Sequence, residues 1–281
     1  MVTDLHAHYP MRVVSDVTPD TAIGLMRKAM RRPTLGDKLR ALILGLASRF
    51  FSDTDPFSGY RITPQRLREG GVGVALSVLY RPSEELDPDE RFASAPKPSY
   101  FSRLLGDFEA VEAEVATHDR AGIRMVHDRD ELDSCVADGA TGLVHCVEGG
   151  FHLGGDAGQI HANVAELARR GVAYITVAHL FFRGVATVAP ALPFLSDGAY
   201  RRLFGQPEGE GLTDLGVAAV RAMARHRVLV DVSHMHADSI EETLGLLDKP
   251  IPTARCPSCR PTPAFASASR ATCTTRRRSA G

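Results

Sequence analysis

Two histidines separated by a single residue, His6 and His8, close the first short apolar run of the chain. On an extended strand, residues two apart point to the same side. Both imidazoles therefore face one surface and can share one borderline-soft divalent cation such as zinc. Glu148 ends another mostly apolar run and precedes Gly149 and Gly150. A carboxylate at the buried end of a strand needs a partner. A metal supplies one, and two carboxylate oxygens can bridge two cations about 3.5 to 4 Å apart. His234 follows Val230-Asp231-Val232-Ser233, where it offers a ligand to a second ion. His179 follows Ile175-Thr176-Val177-Ala178 and is placed to polarise a substrate carbonyl. Together these positions read as a metal site; taken singly, His6 and His8 also read as polar strand-end residues, Glu148 as an N-cap or the partner of an arginine, and His234 as a helix-capping or core His.

The elements that must position them alternate. Short apolar runs at Val2–Leu5, Val72–Tyr80, Ile123–Val126, Gly142–Val147, Val172–Val177 and Val228–Val232 read as strands. Helical patterns lie between them at Ser99–Thr117, Asp130–Val136, Gln159–Arg170, Thr213–His226 and Asp238–Leu247. An amphipathic helix is expected near Leu35–Phe51, and Thr63 with Pro64 marks another helix start. Strands separated by helices make a parallel sheet. Every candidate residue sits at a strand's C-terminal end, where barrels place their chemistry. The expected fold is α/β, a (β/α)8 TIM barrel. It is expected to be incomplete: six strands are legible, Ile251 would open a seventh, and there is no eighth. A doubly wound sheet is the competitor, but it usually carries a Gly-rich phosphate turn after the first strand, where this chain has histidines.

At 281 residues, 44% apolar and 24% charged, the composition is globular. A net charge of -1 gives no reason to expect nucleic acid or an anionic membrane as partner. No apolar run reaches the roughly 18 to 20 residues of a membrane span. The N-terminus does not read as a secretory signal. Five cysteines do not form a disulfide framework, so a cytoplasmic location is expected.

The averages hide a break. Asp248 is the last acidic residue, and the stretch from 251 to 281 holds six arginines, three of the five cysteines, and no His, Leu or Val. Residues 1–250 are therefore expected to form the barrel, and 251–281 a disordered or aberrant basic tail. Abrupt loss of acids with Arg, Pro, Ser, Ala and Thr enrichment is what out-of-frame translation of a GC-rich gene yields. Cys256 and Cys259 make a lone Cys-x-x-Cys, short of the four ligands of a structural zinc site. His145, out of phase with Glu148, should face away from the barrel interior, and Cys146, in phase with it, should point inward.

Asp4-Leu5-His6-Ala7-His8, His145-Cys146-Val147-Glu148-Gly149-Gly150, Thr176-Val177-Ala178-His179, Gly211-Leu212-Thr213-Asp214-Leu215-Gly216 and Asp231-Val232-Ser233-His234-Met235 resemble, in order and spacing, the membrane dipeptidase (renal dipeptidase) family of zinc peptidases in the amidohydrolase superfamily. The resemblance implies a binuclear centre of Zn2+ ions that hydrolyses dipeptides. It implies His6 and His8 as ligands of the first ion, Glu148 as the bridge and His234 as a ligand of the second. His179 would be the residue that contacts the substrate or the tetrahedral intermediate. A small dipeptide is the implied partner, and a homodimer is left open.

Two features depart from the family. Many members have His-x-Asp where this chain has His6 and His8. The family also has a further His ligand at the seventh strand, then a substrate-binding Arg and a late Asp. Here the chain reads Pro250-Ile251-Pro252-Thr253-Ala254-Arg255-Cys256, and no His follows His236. The second ion would keep only Glu148 and His234, fewer than the three protein ligands of catalytic zinc sites. One bound ion and dipeptidase activity near background are therefore expected. The alternatives are a catalytically inactive truncated barrel and another metal-dependent amidohydrolase.

Overall fold

The computed structural model describes residues 1–14, 59–85, 96–118, 122–192 and 194–247, with a few positions among residues 35–55 and Ser94. These belong to the first of two units, Met1–Pro250; the second is Ile251–Gly281. The expected seventh strand and basic tail lie outside the described residues, as does most of the helix expected near Leu35–Phe51.

Strand β1 (Val2–Ala7) leads into a single turn, α1 (Met11–Val14). A two-residue antiparallel ribbon, Thr54–Asp55 with Gly59–Tyr60, precedes α2 (Pro64–Glu69). There follow β2 (Val72–Leu79), the turn α3 (Pro82–Glu85), α4 (Ser99–Ala116), β3 (Ile123–Val126), α5 (Arg129–Ala137) and β4 (Thr141–Glu148). A 3-10 turn at Gly150–Leu153 leads to α6 (Ala157–Arg169) and β5 (Tyr174–Thr176). The described chain ends with α7 (Asp197–Phe204), α8 (Asp214–His226), β6 (Leu229–Asp231) and α9 (Ala237–Leu247).

The caps explain the boundaries. Thr63 accepts from the Arg66 amide with Pro64 in the first turn, as the sequence predicts, and Thr213 does the same for Gly216 at the start of α8. Asp156 caps α6 through Gln159, which moves that helix start two residues ahead of the expected Gln159. Helix α7, absent from the sequence reading, has Ser196 as N-cap and ends at Gly205 in the left-handed region.

Among the described residues, the six strands of the main sheet, β1 to β6, are all parallel. β1 pairs with β2, β2 with β4, and β5 with β6. β4 is the hub. Thr141–Val144 pair with β3, and Val147 and Glu148 pair with β5. β2 thus lies directly on β4 rather than on β3, the neighbour that strict chain order would give. The sheet curls as a half-barrel, an α/β fold that is an incomplete (β/α)8 barrel, with β1 and β6 at the ends of the pairing path. Its exposed large apolar side chains fall on those end strands: Val2, Leu5 and Leu229.

The main core lies between β2, β4, β5 and the helices. Leu104 and Phe108 of α4, Ile160, Val164 and Leu167 of α6, and Val220 and Met223 of α8 close on Leu79, Val147 and Ile175. This burial fixes the C-terminal ends of β4 and β5, where the candidate residues stand. No helix among the described residues is long and apolar enough to cross a membrane.

Candidate metal centre

Glu148 is the last residue of β4 and only 1% exposed. Gly149 follows at φ 101°, a conformation that glycine alone adopts readily. A Cβ on Gly150 would stand 2.7 Å from the Val177 carbonyl oxygen. The two glycines let the chain leave β4 while the Gly149 and Gly150 amides donate to Thr176 and Val177 of the neighbouring strand end. The Glu-Gly-Gly motif is therefore a device that stops the strand with its carboxylate in the mouth of the sheet.

Four imidazoles surround that carboxylate. His6 Nε2 is 3.4 Å from Glu148 Oε1 and His8 Nε2 is 3.6 Å from Oε2. His179 Nε2 and His234 Nε2 lie 3.3 and 3.5 Å from Oε1. Two sets of three donors form, His6 with His8 and Glu148, and Glu148 with His179 and His234, each with its ligand atoms within 4.8 Å of one another. The structure brings together every site residue that the sequence singles out. It also brings His179, expected as a substrate contact, into the second set, which the sequence leaves with two members.

The backbone aims these rings. β1 carries His6, and the Nε2 atoms of His6 and His8 approach to 3.3 Å. His234 is one of two non-glycine residues with positive φ among the described residues, at 65°. Such a conformation persists only where the surroundings hold it. Here the Ser233 amide and hydroxyl both donate to Asp231 Oδ1, and the Ala189 amide donates to the His234 carbonyl at 2.7 Å.

A second layer orients the rings. The Tyr174 hydroxyl donates to the Leu5 carbonyl and lies 2.9 Å from His6 Nδ1. Its proton being so engaged, the Tyr174 oxygen accepts from His6 Nδ1–H. Glu85 Oε2 lies 2.8 Å from His179 Nδ1. One residue earlier, Glu84 Oε2 lies 3.0 Å from His152 Nδ1, on the 3-10 turn that follows Glu148. Burial works against a charge on Glu148, yet His179, with the hydrogen bonds of His234 and His6, holds it well below the usual carboxylate range. Burial opposes charge on His179 too, but the carboxylates of Glu85 and Glu148 raise it to about 10. The hydrogen bond to Glu148 raises His6 against its burial.

The donor chemistry fits a metal. Glu148 Oε2 is buried with no hydrogen-bond partner, and four imidazoles face the carboxylate. His145, on the opposite face of β4, is fully buried against Phe108 and Glu112 of α4. Cys146 points inward among Val78 and Tyr174, its thiol pushed up by burial to about 12.

The family model of membrane dipeptidase (peptidase family M19) matches residues 28–272. The chain belongs to that family. The match begins after His6 and His8 and extends past Asp248, where the likeness carried by the motifs stops. No curated protein matches the chain. Among solved structures, dipeptidase AC, a metallopeptidase of family M19, is 18% identical and superposes with a TM-score of 0.54 over 87% of this chain and 60% of its own. The probable dipeptidase PvdM from Pseudomonas aeruginosa is 16% identical, with a TM-score of 0.50 over 81% of this chain and 53% of its own. These likenesses are of fold. The chain spans 60% and 53% of the lengths of those two proteins.

Within this M19 chain, sequence reasoning missed Tyr174, Glu84, Glu85 and Asp231. Tyr174 reads as one more core aromatic of a strand. Glu84 and Glu85 stand in Ser83-Glu84-Glu85-Leu86-Asp87, which reads as solvated charge. Their position just past the end of β2, on the side where the other strands end in histidines, was the available signal.

Proposed function

We propose that this chain is a zinc-dependent hydrolase of dipeptides, working at a pair of ions that share Glu148. One observation carries the reading: four imidazole nitrogens converge within 3.3 to 3.6 Å of one buried carboxylate, at the C-terminal mouth of an M19 chain. His6, His8 and Glu148 would hold the first ion, and Glu148 and His234 the second. His179 faces both Glu148 and His234, so it serves either as the contact to the substrate carbonyl or as a further donor to the second ion. When bound, the ions supply Lewis acidity and lower the pKa of water toward neutrality.

The chain's own residues do the rest. Glu148 is held ionised and so keeps the imidazoles turned inward. Tyr174 fixes the His6 ring with Nε2 toward Glu148, and Glu85 does the same for His179. Asp231 holds the strained turn that presents His234. The compartment we propose is the cytoplasm, in keeping with the unpaired thiols of Cys135 and Cys146.

The test is zinc-dependent hydrolysis of a panel of L,L and L,D dipeptides by the full chain, compared with Glu148→Gln. Turnover that needs zinc and disappears in the variant is expected. A second reading, an incomplete barrel that binds metal without catalysis, is favoured by the absence of any His after His236. Zinc bound with no zinc-dependent turnover would establish it.

A further inference from the structure

Glu84 and Glu85 end α3 directly beyond β2, and both are buried, at 1% and 0% exposure. Adjacent carboxylates in such a place are costly unless each is partnered. Glu84 meets His152 and the guanidinium groups of Arg81 and Arg103. Glu85 has a different set. Its Oε2 accepts from the Tyr80 hydroxyl at 2.6 Å, its Oε1 accepts from the Phe181 amide at 2.8 Å, and Oε2 also faces His179 Nδ1 at 2.8 Å. The proton between Glu85 and His179 therefore sits on Nδ1. Nε2 is the ring's other nitrogen, and it points into the space between Glu148 and His234. It lies 3.3 Å from Glu148 Oε1, with the His179 and His234 ring centroids 4.8 Å apart.

A histidine with one nitrogen donating to a buried carboxylate and the other facing a carboxylate and a second imidazole has the arrangement of a metal ligand with its supporting residue. Without it, the second ion has two protein donors among the described residues, below the three that catalytic zinc sites keep. We propose that His179 is the third protein donor to the second ion, completing the set of Glu148 and His234, and that Glu85 is the positioning residue that fixes its tautomer and ring orientation. The proposal rests on the metal-binding reading above. It gives His179 a role beside the metal in place of the substrate contact that the family resemblance implies.

The experiment is cobalt(II) titration of the metal-free full-length chain, read by visible absorption and by calorimetric stoichiometry, for the wild type, His179→Ala and Glu85→Gln. The wild type should take up two ions. His179→Ala should take up one, with first-ion affinity unchanged. Glu85→Gln, which keeps size and one accepting oxygen, should keep both ions and bind the second about 10- to 100-fold more weakly. If His179→Ala loses both ions, Glu85→Gln decides alone: a weakened second ion with an unchanged first supports the proposal, and two unchanged affinities overturn it. Two ions of unchanged affinity in His179→Ala overturn it and leave the metal reading standing. One ion in both wild type and His179→Ala also overturns it. No cobalt on the wild type removes the metal reading, and the proposal with it.

Discussion

Glu148 does two jobs with one carboxylate. It is the common neighbour of both donor sets, and it is the negative charge that collects four imidazoles. Glu148→Gln is expected to weaken binding of both ions by more than about 100-fold, beyond the range for a supporting residue. Competition with a chromophoric chelator measures this, and a variant that keeps either affinity would refute the shared role. Tyr174 acts on one set alone. Tyr174→Phe removes the acceptor of His6 Nδ1, so first-ion affinity should fall by about 10- to 100-fold while the second ion is held as before. Equal loss at both sites would mean that Tyr174 matters for packing rather than for orienting His6.

At the scale of elements, the site depends on how β4 ends and on what lies behind it. Gly150→Ala would push a methyl against the Val177 carbonyl of the strand end next door. Overpacking of this kind costs about 1 to 3 kcal/mol, which urea denaturation would register; no loss would show that the strand ends can part freely. On the other face of β4, His145 is packed under α4 with Phe108 and Glu112 against it, His127 beyond, and Arg170 from the end of α6. Burial lowers its pKa below the ordinary 6.5, although Glu112 pulls the other way. The sign follows from linkage. Above 6.5 the ring is neutral in both states; as pH falls below 6.5 the unfolded chain takes the proton first, and stability is lost down to the folded pKa. His145→Leu should therefore lose less stability than the wild type as pH is lowered through 6.5. Equal losses in urea midpoint would contradict this. The elements also show what the sequence could tell. His6, His8, Glu148, His179 and His234 were legible because each ends an apolar run, and the period-two pattern put His145 on the outer face. The supporting layer was not. Tyr174 and Glu85 make their contacts across 168 and 94 residues of chain, and no local period encodes such pairing. The β2–β4 adjacency was hidden for the same reason, since alternation gives element types and leaves neighbours open.

The whole molecule sets how much of the chemistry survives. Six strands leave β1 and β6 as ends of the described sheet, and the donors stand at the C-terminal ends of its strands. Zinc at 100 times its dissociation constant would add about 2.7 kcal/mol to stability by mass action, and a chelator should lower the unfolding temperature accordingly. Catalysis asks for more than bound metal. The leaving amine needs a proton, and general acid–base transfer contributes about 10²- to 10⁴-fold. Among the described residues the carboxylates paired with the donors are Glu148, which would be committed to the ions, and Glu85, which holds the His179 ring. Turnover of dipeptides by the zinc-loaded chain is therefore expected to fall far below the ordinary range of about 1 to 10³ per second, near background yet above Glu148→Gln. If the encoding DNA beyond codon 250 holds a family-like segment in another frame, exchanging it for residues 251–281 should raise turnover by at least the proton-transfer factor. Turnover in the ordinary range from the chain as it stands would show that the proton donor comes from a residue already present, and the search for it would begin at His179 and Glu85.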